Sequence, residues 1–524
     1  MSQLPALIVA LLDPARYPDE NPDKVRVIQT QMSFVLLTTK FAYKIRKPVN
    51  LGYVDYTSLE KRRLYSDKEV ALNQRLCPDT YIGVIPVVER HGEMFLGGTG
   101  KVVDYAVKMK LLSAEGMADR LLMNGGLTKG MISAVAIKIA DFHKKAETSH
   151  EISRFGDVAA ITSNVTENFE QSRPYIGRVI SQSIFDSLKE YFDSFLKVHA
   201  DDFARRVNQD RIRDCHGDLH SAHINFSGNG ICVYDCIEFN DRFRYGDTAS
   251  EVAFLAMDID HYGQAALRQI FVDEYVKKSG DTELYPLLRF YQAYRAHIRA
   301  KVACFKLDDP FVPDTEKAQE LDRAKGYFDL ALAYSLPRPR LFITVGFTGC
   351  GKSTLAKALS CHLGLVHLSS DVTRKTLAGI VPTERVKEQY AEGLYSTDMT
   401  EMTYTALLSD AGEYLKQGNS VIIDATFLRR ADREQAFELA RRLNADFMII
   451  DCHLPDTHIR ERLEQRLTET TTSDGCLEVY LQQKTRCQPV TEVPTGRNHV
   501  IIDTRQPVAD SLQKIVDYLS NTIL

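Results

Sequence analysis

The sequence predicts an α+β segment followed by an α/β segment with a parallel sheet. The boundary is Leu336-Pro337-Arg338-Pro339-Arg340, where two prolines in three positions forbid helix between helix-like Tyr327–Leu332 and strand-like Leu341–Val345. Beyond it, apolar runs of strand length at 341–345, 365–368, 420–423, 447–450 and 499–502 alternate with helix-like text. That text includes Thr354–Leu363, Met399–Lys416, Arg433–Leu443 and Thr457–Leu467. Short apolar strands between helices make a parallel sheet covered on both faces. Before the boundary, residues 25–50 read as two strands joined by a turn, and 83–88 and 101–107 as two more. After about residue 110 the text is mostly helical, with short apolar runs near 212–240. A small β-rich lobe over about 1–110 therefore precedes a helical lobe over about 111–335.

A chain of 524 residues exceeds one core, and 44% hydrophobic with 26% charged residues is ordinary globular composition. The junction divides it into 1–335 and 336–524, each expected to own a core. Leu4–Leu12 is too short to span a bilayer and reads as a buried first helix ending at Asp13-Pro14. The ten cysteines show no CxxC pair, and the closest two, Cys232 and Cys236, bracket a strand-like run. Free thiols throughout, and hence a reducing cytoplasmic setting without a membrane, are the expectation. The net charge is −5, and residues after 336 carry 22 Lys and Arg against 24 Asp and Glu. Neither segment has the basic excess that binding a phosphate backbone needs, which argues against nucleic acid.

Gly346-Phe347-Thr348-Gly349-Cys350-Gly351-Lys352-Ser353-Thr354 fits G-x-x-x-x-G-K-[ST] between a strand-like run and a helix-like one. Glycines let backbone N–H groups turn toward phosphate oxygens, Lys352 neutralises β/γ charge, and Ser353 ligates Mg²⁺. Asp371 closes Leu368-Ser369-Ser370, and Asp424 closes Val421-Ile422-Ile423. Strand C-terminal ends of a parallel sheet face the ligand crevice, so Asp371 can orient an acceptor hydroxyl and Asp424 can hold the Mg²⁺ shell. The plainer reading of Asp371 is a helix cap. Arg462 and Arg466 share a helix face, either as a solvated stripe paired with Glu461 and Glu464 or as a lid over the transferred phosphoryl.

This segment resembles the P-loop kinases related to gluconate kinase and the 5′-hydroxyl polynucleotide kinases. The matching text is GFTGCGKST, LSSDVTRK, VIIDATFLRRADR and RERLEQR over most of 341–475. The resemblance implies Asp371 near the acceptor, Asp424 as the metal-side carboxylate, and the Arg462/Arg466 region as lid. Ser473-Asp474-Gly475 departs from the Ser-Asp-Ala of that family.

In the first segment, Asp214-Cys215-His216-Gly217-Asp218-Leu219-His220-Ser221-Ala222-His223-Ile224-Asn225 is followed by Asp235 after Ile231-Cys232-Val233-Tyr234. One Asp on a loop and another ending a hairpin strand is how kinase-like folds divide proton acceptance from metal binding. Zinc on His216, His220 and His223 is a competing reading, opposed by a spacing that fits no helix face. Plain turn residues with core histidines are another.

This stretch resembles the aminoglycoside phosphotransferase family, with a protein-kinase-like fold over most of 25–305. The resemblance implies that Lys44 grips α/β-phosphates with Glu69 as its helix partner. It further implies that Tyr105–Met109 is the adenine hinge, Asp218 the base and Asp235 the metal ligand. The family's Asn, five residues after the base, is His223 here, with Asn225 two further on. Gln29–Phe34 stands where a Gly-rich loop is expected. Together these readings predict an ATP- and Mg²⁺-dependent phosphotransferase with a nucleotide and a small hydroxylated acceptor as partners. A nucleic-acid 5′-hydroxyl kinase and a ligand-sensing pseudokinase regulating the P-loop half are the alternatives. The oligomeric state stays open.

Overall fold

The computed structural model describes residues 4–52, 54–227, 230–310, 312–381, 394, 396–465, 477–493 and 498–521. The small lobe is an antiparallel six-stranded sheet of β1 (Arg26–Gln29), β2 (Ser33–Leu37), β3 (Phe41–Arg46), β4 (Tyr81–Arg90), β5 (Glu93–Leu96) and β6 (Lys101–Lys110). Its order is β1-β2-β3-β6-β4-β5. Residues 25–50 form three strands rather than two. Thr38 makes the second turn, its N–H donating to the Phe41 carbonyl at 2.9 Å and its Oγ1 accepting from Phe41 N at 3.0 Å. Sequence reading also missed β5, a four-residue strand behind His91 and Gly92 in the left-handed region. Helix Leu59–Asn73 starts at Ser58, whose Oγ accepts from Lys61 N at 3.2 Å, and packs on β4 and β6.

The helical lobe carries two short ribbons. β7 (Ile212–Asp214) pairs with β10 (Tyr245–Asp247), and β8 (Ile224–Ser227) pairs with β9 (Gly230–Val233). Behind them helix Thr248–His261 is buried from Thr248 to Asp260. Helices Leu284–Asp308 and Asp314–Ser335 pack along each other. In the last segment β11 (Arg340–Val345), β12 (Val366–Ser369), β13 (Val421–Asp424), β14 (Asp446–His453) and β15 (His499–Asp503) form a wholly parallel sheet ordered β12-β13-β11-β14-β15. Every β11 residue is buried, as expected of a central strand covered on both faces.

The fold changes class at the proline pair, but the apolar packing continues across it. Helix Asp314–Ser335 is buried from Gly326 onward, and one cluster runs from Phe328, Leu330 and Ala331 into Leu355, Leu359, Leu363, Ile515 and Leu519. His362 Nε2 meets Asp329 Oδ2 at 2.5 Å, and Arg268 Nη2 donates to Asn419 Oδ1 at 2.8 Å. At this junction Gly263 has φ 69°, and a Cβ there would stand 2.5 Å from Cys361 Sγ. Gly263→Ala is therefore expected to cost about 1–3 kcal/mol of stability, read from a lower urea midpoint.

One expectation from the cysteines is corrected. Cys77 and Cys232 are joined by a disulfide, their Cα atoms 4.8 Å apart across 155 positions of sequence. Local spacing carries no information about such a pair, because packing of the small lobe on the β8–β9 hairpin brings it together. Cys215, Cys236, Cys304, Cys350, Cys361, Cys452 and Cys487 are free. Among the described residues no helix is long and apolar enough to cross a membrane.

Candidate active sites

In the first segment β3 presents Lys44 toward the lobe boundary. Its Nζ lies 2.9 Å from Glu69 Oε1 on helix Leu59–Asn73 and 2.8 Å from Asp235 Oδ1 just beyond β9. Arg46, two residues along the same face, binds Glu69 at 2.6 Å and Glu238 at 2.6 Å, and Tyr56 OH donates to Glu238 at 2.9 Å. Burial penalises the Lys44 ammonium, but Asp235, Glu69 and Glu238 outweigh it and raise its pKa. Asp235 itself has φ 63°, which turns its carboxylate back toward Lys44.

Asp218 stands on the loop before β8. Burial opposes its charge, yet His220, His223 and Arg299 hold its carboxyl well below the usual range, so it is an ionised acceptor. The loop is pinned from beneath: His216 N and Gly217 N donate to Glu251 at 3.0 and 2.6 Å, and His143 Nε2 sits 2.8 Å from the same carboxylate. His223 lies between the two aspartates, 3.5 Å from Asp218 Oδ2 and 3.6 Å from Asp235 Oδ2. Asn225 Nδ2 donates to the Ser113 carbonyl at 2.7 Å, and its Oδ1 is buried without a hydrogen-bond partner.

The hinge reading is also corrected. Tyr105–Met109 lies inside β6, paired to β4 throughout and to β3 over Ala106–Met109, so its backbone has no edge left for adenine. The stretch after β6, from Leu111, connects the lobes instead. The turn between β1 and β2 holds no glycine, and Thr30 N donates to the Ser33 carbonyl at 2.9 Å.

In the last segment the motif loop joins β11 to helix Lys352–Leu363. Gly346 has φ 138°, and a Cβ there would meet the Cys452 carbonyl at 2.7 Å. The loop therefore closes against β14 only as glycine. Gly349 and Gly351 also take positive φ, Ser353 and Thr354 are exposed in the first helical turn, and Cys350 is buried. Lys352 Nζ folds back to the Phe347 carbonyl at 2.7 Å, and Phe347 meets the Tyr480 ring edge-on at 5.5 Å. Thr348 N donates to Gln483 Oε1 at 2.8 Å. Asp424 ends β13, buried, with His367 Nε2 3.5 Å away. Asp371 falls in the first turn of helix Ser370–Leu377, two residues beyond the end of β12 at Ser369, rather than closing the strand. Arg462, on helix Asp456–Gln465, donates to the Thr504 carbonyl at 3.2 Å behind the loop, and Arg460 pairs with Asp456 at 2.7 Å. Arg466 and 468–475 lie outside the described residues.

Ser353 and Asp424 offer only oxygen donors, which suits Mg²⁺, whereas His223 brings nitrogen beside Asp235, which does not. Sequence reading missed Arg46, Glu238, Glu251 and Gln483. Glu238, three residues after Asp235, carried a local signal as a second acid on the same turn; the other three show their roles only through distant partners.

Residues 163–291 match the family described as phosphotransferase enzyme family, and residues 341–490 match the one described as AAA domain. The chain is thus a fused protein, with an aminoglycoside-phosphotransferase-like N-terminal part and a P-loop kinase C-terminal part, and it is an ATP-dependent kinase. Proteins named as uncharacterized, from Mycobacterium bovis and two strains of Mycobacterium tuberculosis, are each 30% identical to it over 434 residues, 82% of this chain and 83% of theirs. The chain belongs to the family of these mycobacterial proteins. Among solved structures, a gluconokinase from Sinorhizobium meliloti 1021 aligns at 19% identity over 35% of this chain and 93% of its own, with a TM-score of 0.25. A choline kinase from Cryptosporidium parvum Iowa II aligns at 11% identity over 62% of this chain and 97% of its own, with a TM-score of 0.36.

Three buried histidines set an acid limit. Burial, with His220 next, lowers His223 to about 4; burial lowers His261 to about 4 and His297 to about 3. Unfolded histidine titrates near ~6.5, so between that value and about 4 the unfolded chain binds more protons and stability falls with pH. Asp218 and Asp235, lowered in the fold, push the same way at lower pH. The urea midpoint should drop from pH 7 to pH 4.5, with a shallower slope in His297→Phe.

Proposed function

We propose that the chain transfers the γ-phosphoryl group of ATP to small hydroxylated molecules and carries a nucleotide site in each of its segments, 1–335 and 336–524. The observation that carries the two-site reading is Lys44 Nζ at 2.9 Å from Glu69 and 2.8 Å from Asp235, a constellation drawn from positions up to 191 residues apart. Lys44 grips the α/β-phosphates there, and Asp218 accepts the proton of the acceptor hydroxyl. In the second site Gly346–Thr354 cradles phosphate oxygens, Lys352 swings from Phe347 to the β/γ-phosphates, and Asp371 orients the acceptor. Mg²⁺, held by Ser353 and Asp424, would neutralise β/γ charge. Arg462 and Arg466 would cover the transferred group. The seven free thiols among the described residues favour a cytoplasmic setting, and the Cys77–Cys232 disulfide counts against it.

Fluorescent-nucleotide titration tests the reading. The wild type should bind close to two nucleotides, falling to one in Asp235→Ala or in Lys352→Ala. Asp371→Asn should lower P-loop turnover about 10²-fold or more and leave ATP affinity within a few-fold, because it acts on the acceptor. A second reading, favoured by His223 at the metal position, makes the first segment a ligand sensor. Stoichiometry of one, abolished by Lys352→Ala alone, would select it.

A further inference from the structure

We propose that the N-terminal site takes a first-row transition-metal dication, held by His223 Nε2 and Asp235, in place of Mg²⁺. This deepens the proposed kinase reading and needs that reading only for the phosphates that would complete the coordination shell.

The tautomer of His223 comes first. Its Nδ1 lies 3.0 Å from the Asp218 carbonyl oxygen, which can only accept, so Nδ1 carries the hydrogen. Nε2 of the neutral ring is then a lone pair, and it faces Asp235 Oδ2, another pure acceptor, at 3.6 Å. At that distance no hydrogen bond joins the two atoms, and the gap between them is wide enough for a cation. Lys44 supplies none there, since its ammonium is bound to the other oxygen, Oδ1, at 2.8 Å.

The spacing suits a metal. Two ligands on bonds of about 2.1 Å stand about 3.4 Å apart at a tetrahedral angle and about 3.0 Å apart at a right angle. The observed 3.6 Å needs a closure of a few tenths of an ångström. A second donor group, which does not include Asp235, lies beside the pair. Asp218 Oδ2 lies 3.5 Å from His220 Nε2, the His220 and His223 rings are 4.0 Å apart, and ligand atoms of Asp218, His220 and His223 all fall within 4.8 Å of one another. Helix-face spacing is no obstacle, because this stretch is a loop ending in the single turn Ser221–His223.

Donor chemistry selects the ion. Mg²⁺ requires oxygen ligands in near-ideal octahedral geometry, whereas Mn²⁺, Co²⁺ and Zn²⁺ accept mixed imidazole and carboxylate sets. An imidazole on the metal-facing turn therefore shifts preference away from Mg²⁺.

The test uses full-length protein stripped with chelator, without nucleotide, and Co²⁺ as the probe, followed by its visible absorption and by calorimetry. One Co²⁺ site is expected, at least about 100-fold tighter than Mg²⁺. It should weaken tenfold or more in His223→Ala and in Asp235→Asn, with near-ultraviolet circular dichroism confirming the fold. His223→Asn, closer in shape, serves if the alanine variant does not fold, and should lose the preference for Co²⁺ over Mg²⁺. Co²⁺ affinity unchanged in these variants means adventitious binding at other histidines and overturns the proposal. Equal affinity for Mg²⁺ overturns it too. No nucleotide is present, so a missing N-terminal nucleotide site defeats the kinase reading and leaves the metal result standing.

Discussion

Glu69→Ala is expected to lower stability by about 3–5 kcal/mol and to remove nucleotide binding from the first segment. The carboxylate has no exposed surface and serves two cations, Lys44 at 2.9 Å and Arg46 at 2.6 Å. Truncation leaves the buried Arg46 and the part-exposed Lys44 without their shared counter-charge. Asp235 and Glu238 still hold one cation each, which places the loss toward the lower end of that range. Glu69→Gln keeps an acceptor and the shape, and should cost less while still uncoupling Lys44. Urea denaturation with fluorescent-nucleotide titration separates the two effects. Unchanged stability in Glu69→Ala would mean that the five-residue charge network is not holding helix Leu59–Asn73 against the sheet.

Lys352→Ala should have the largest effect on turnover. In the structure its ammonium is parked on the Phe347 carbonyl, inside the loop that would close around phosphates. Losing a charge-assisted hydrogen bond to phosphate is worth about 1.5–3 kcal/mol, a drop in ATP affinity of roughly 10- to 100-fold. Charge stabilisation in the transition state adds to this, so ADP release by the second site should fall about 10³-fold. Retained turnover in the variant would remove the motif loop from the reaction.

The motif loop, the five parallel strands and the proline junction were legible because each is written in contiguous residues. A strand of four to six apolar residues, a glycine that must take positive φ and an Asp at a strand end are all local. Asp371 shows the limit of that legibility, because β12 runs directly into the helix that holds it. What stayed hidden depends on partners far away in sequence. Gln483 reaches Thr348 across 135 positions, and Glu251 reaches Gly217 across 34. Nothing near either residue marks it. The hinge that the resemblance implied was misplaced for a related reason: nothing local in Tyr105–Met109 shows that β3 and β4 pair on its two sides. His223 was legible as a departure, but only geometry shows that it faces Asp235.

The apolar cluster that crosses the proline junction bears on how the chain is made. When residue 335 leaves the ribosome, the side of helix Asp314–Ser335 that later meets Leu355, Leu359, Ile515 and Leu519 has nothing to lie against. Helix Lys352–Leu363, which packs on it, is itself covered by helix Val508–Asn521, which ends near the C-terminus. At bacterial or eukaryotic synthesis rates of about 5–20 residues per second, that surface stays bare for on the order of ten to forty seconds. A nascent kinase-like half therefore waits, sticky, for its partner to be translated, and holdase chaperones have their natural target in that interval.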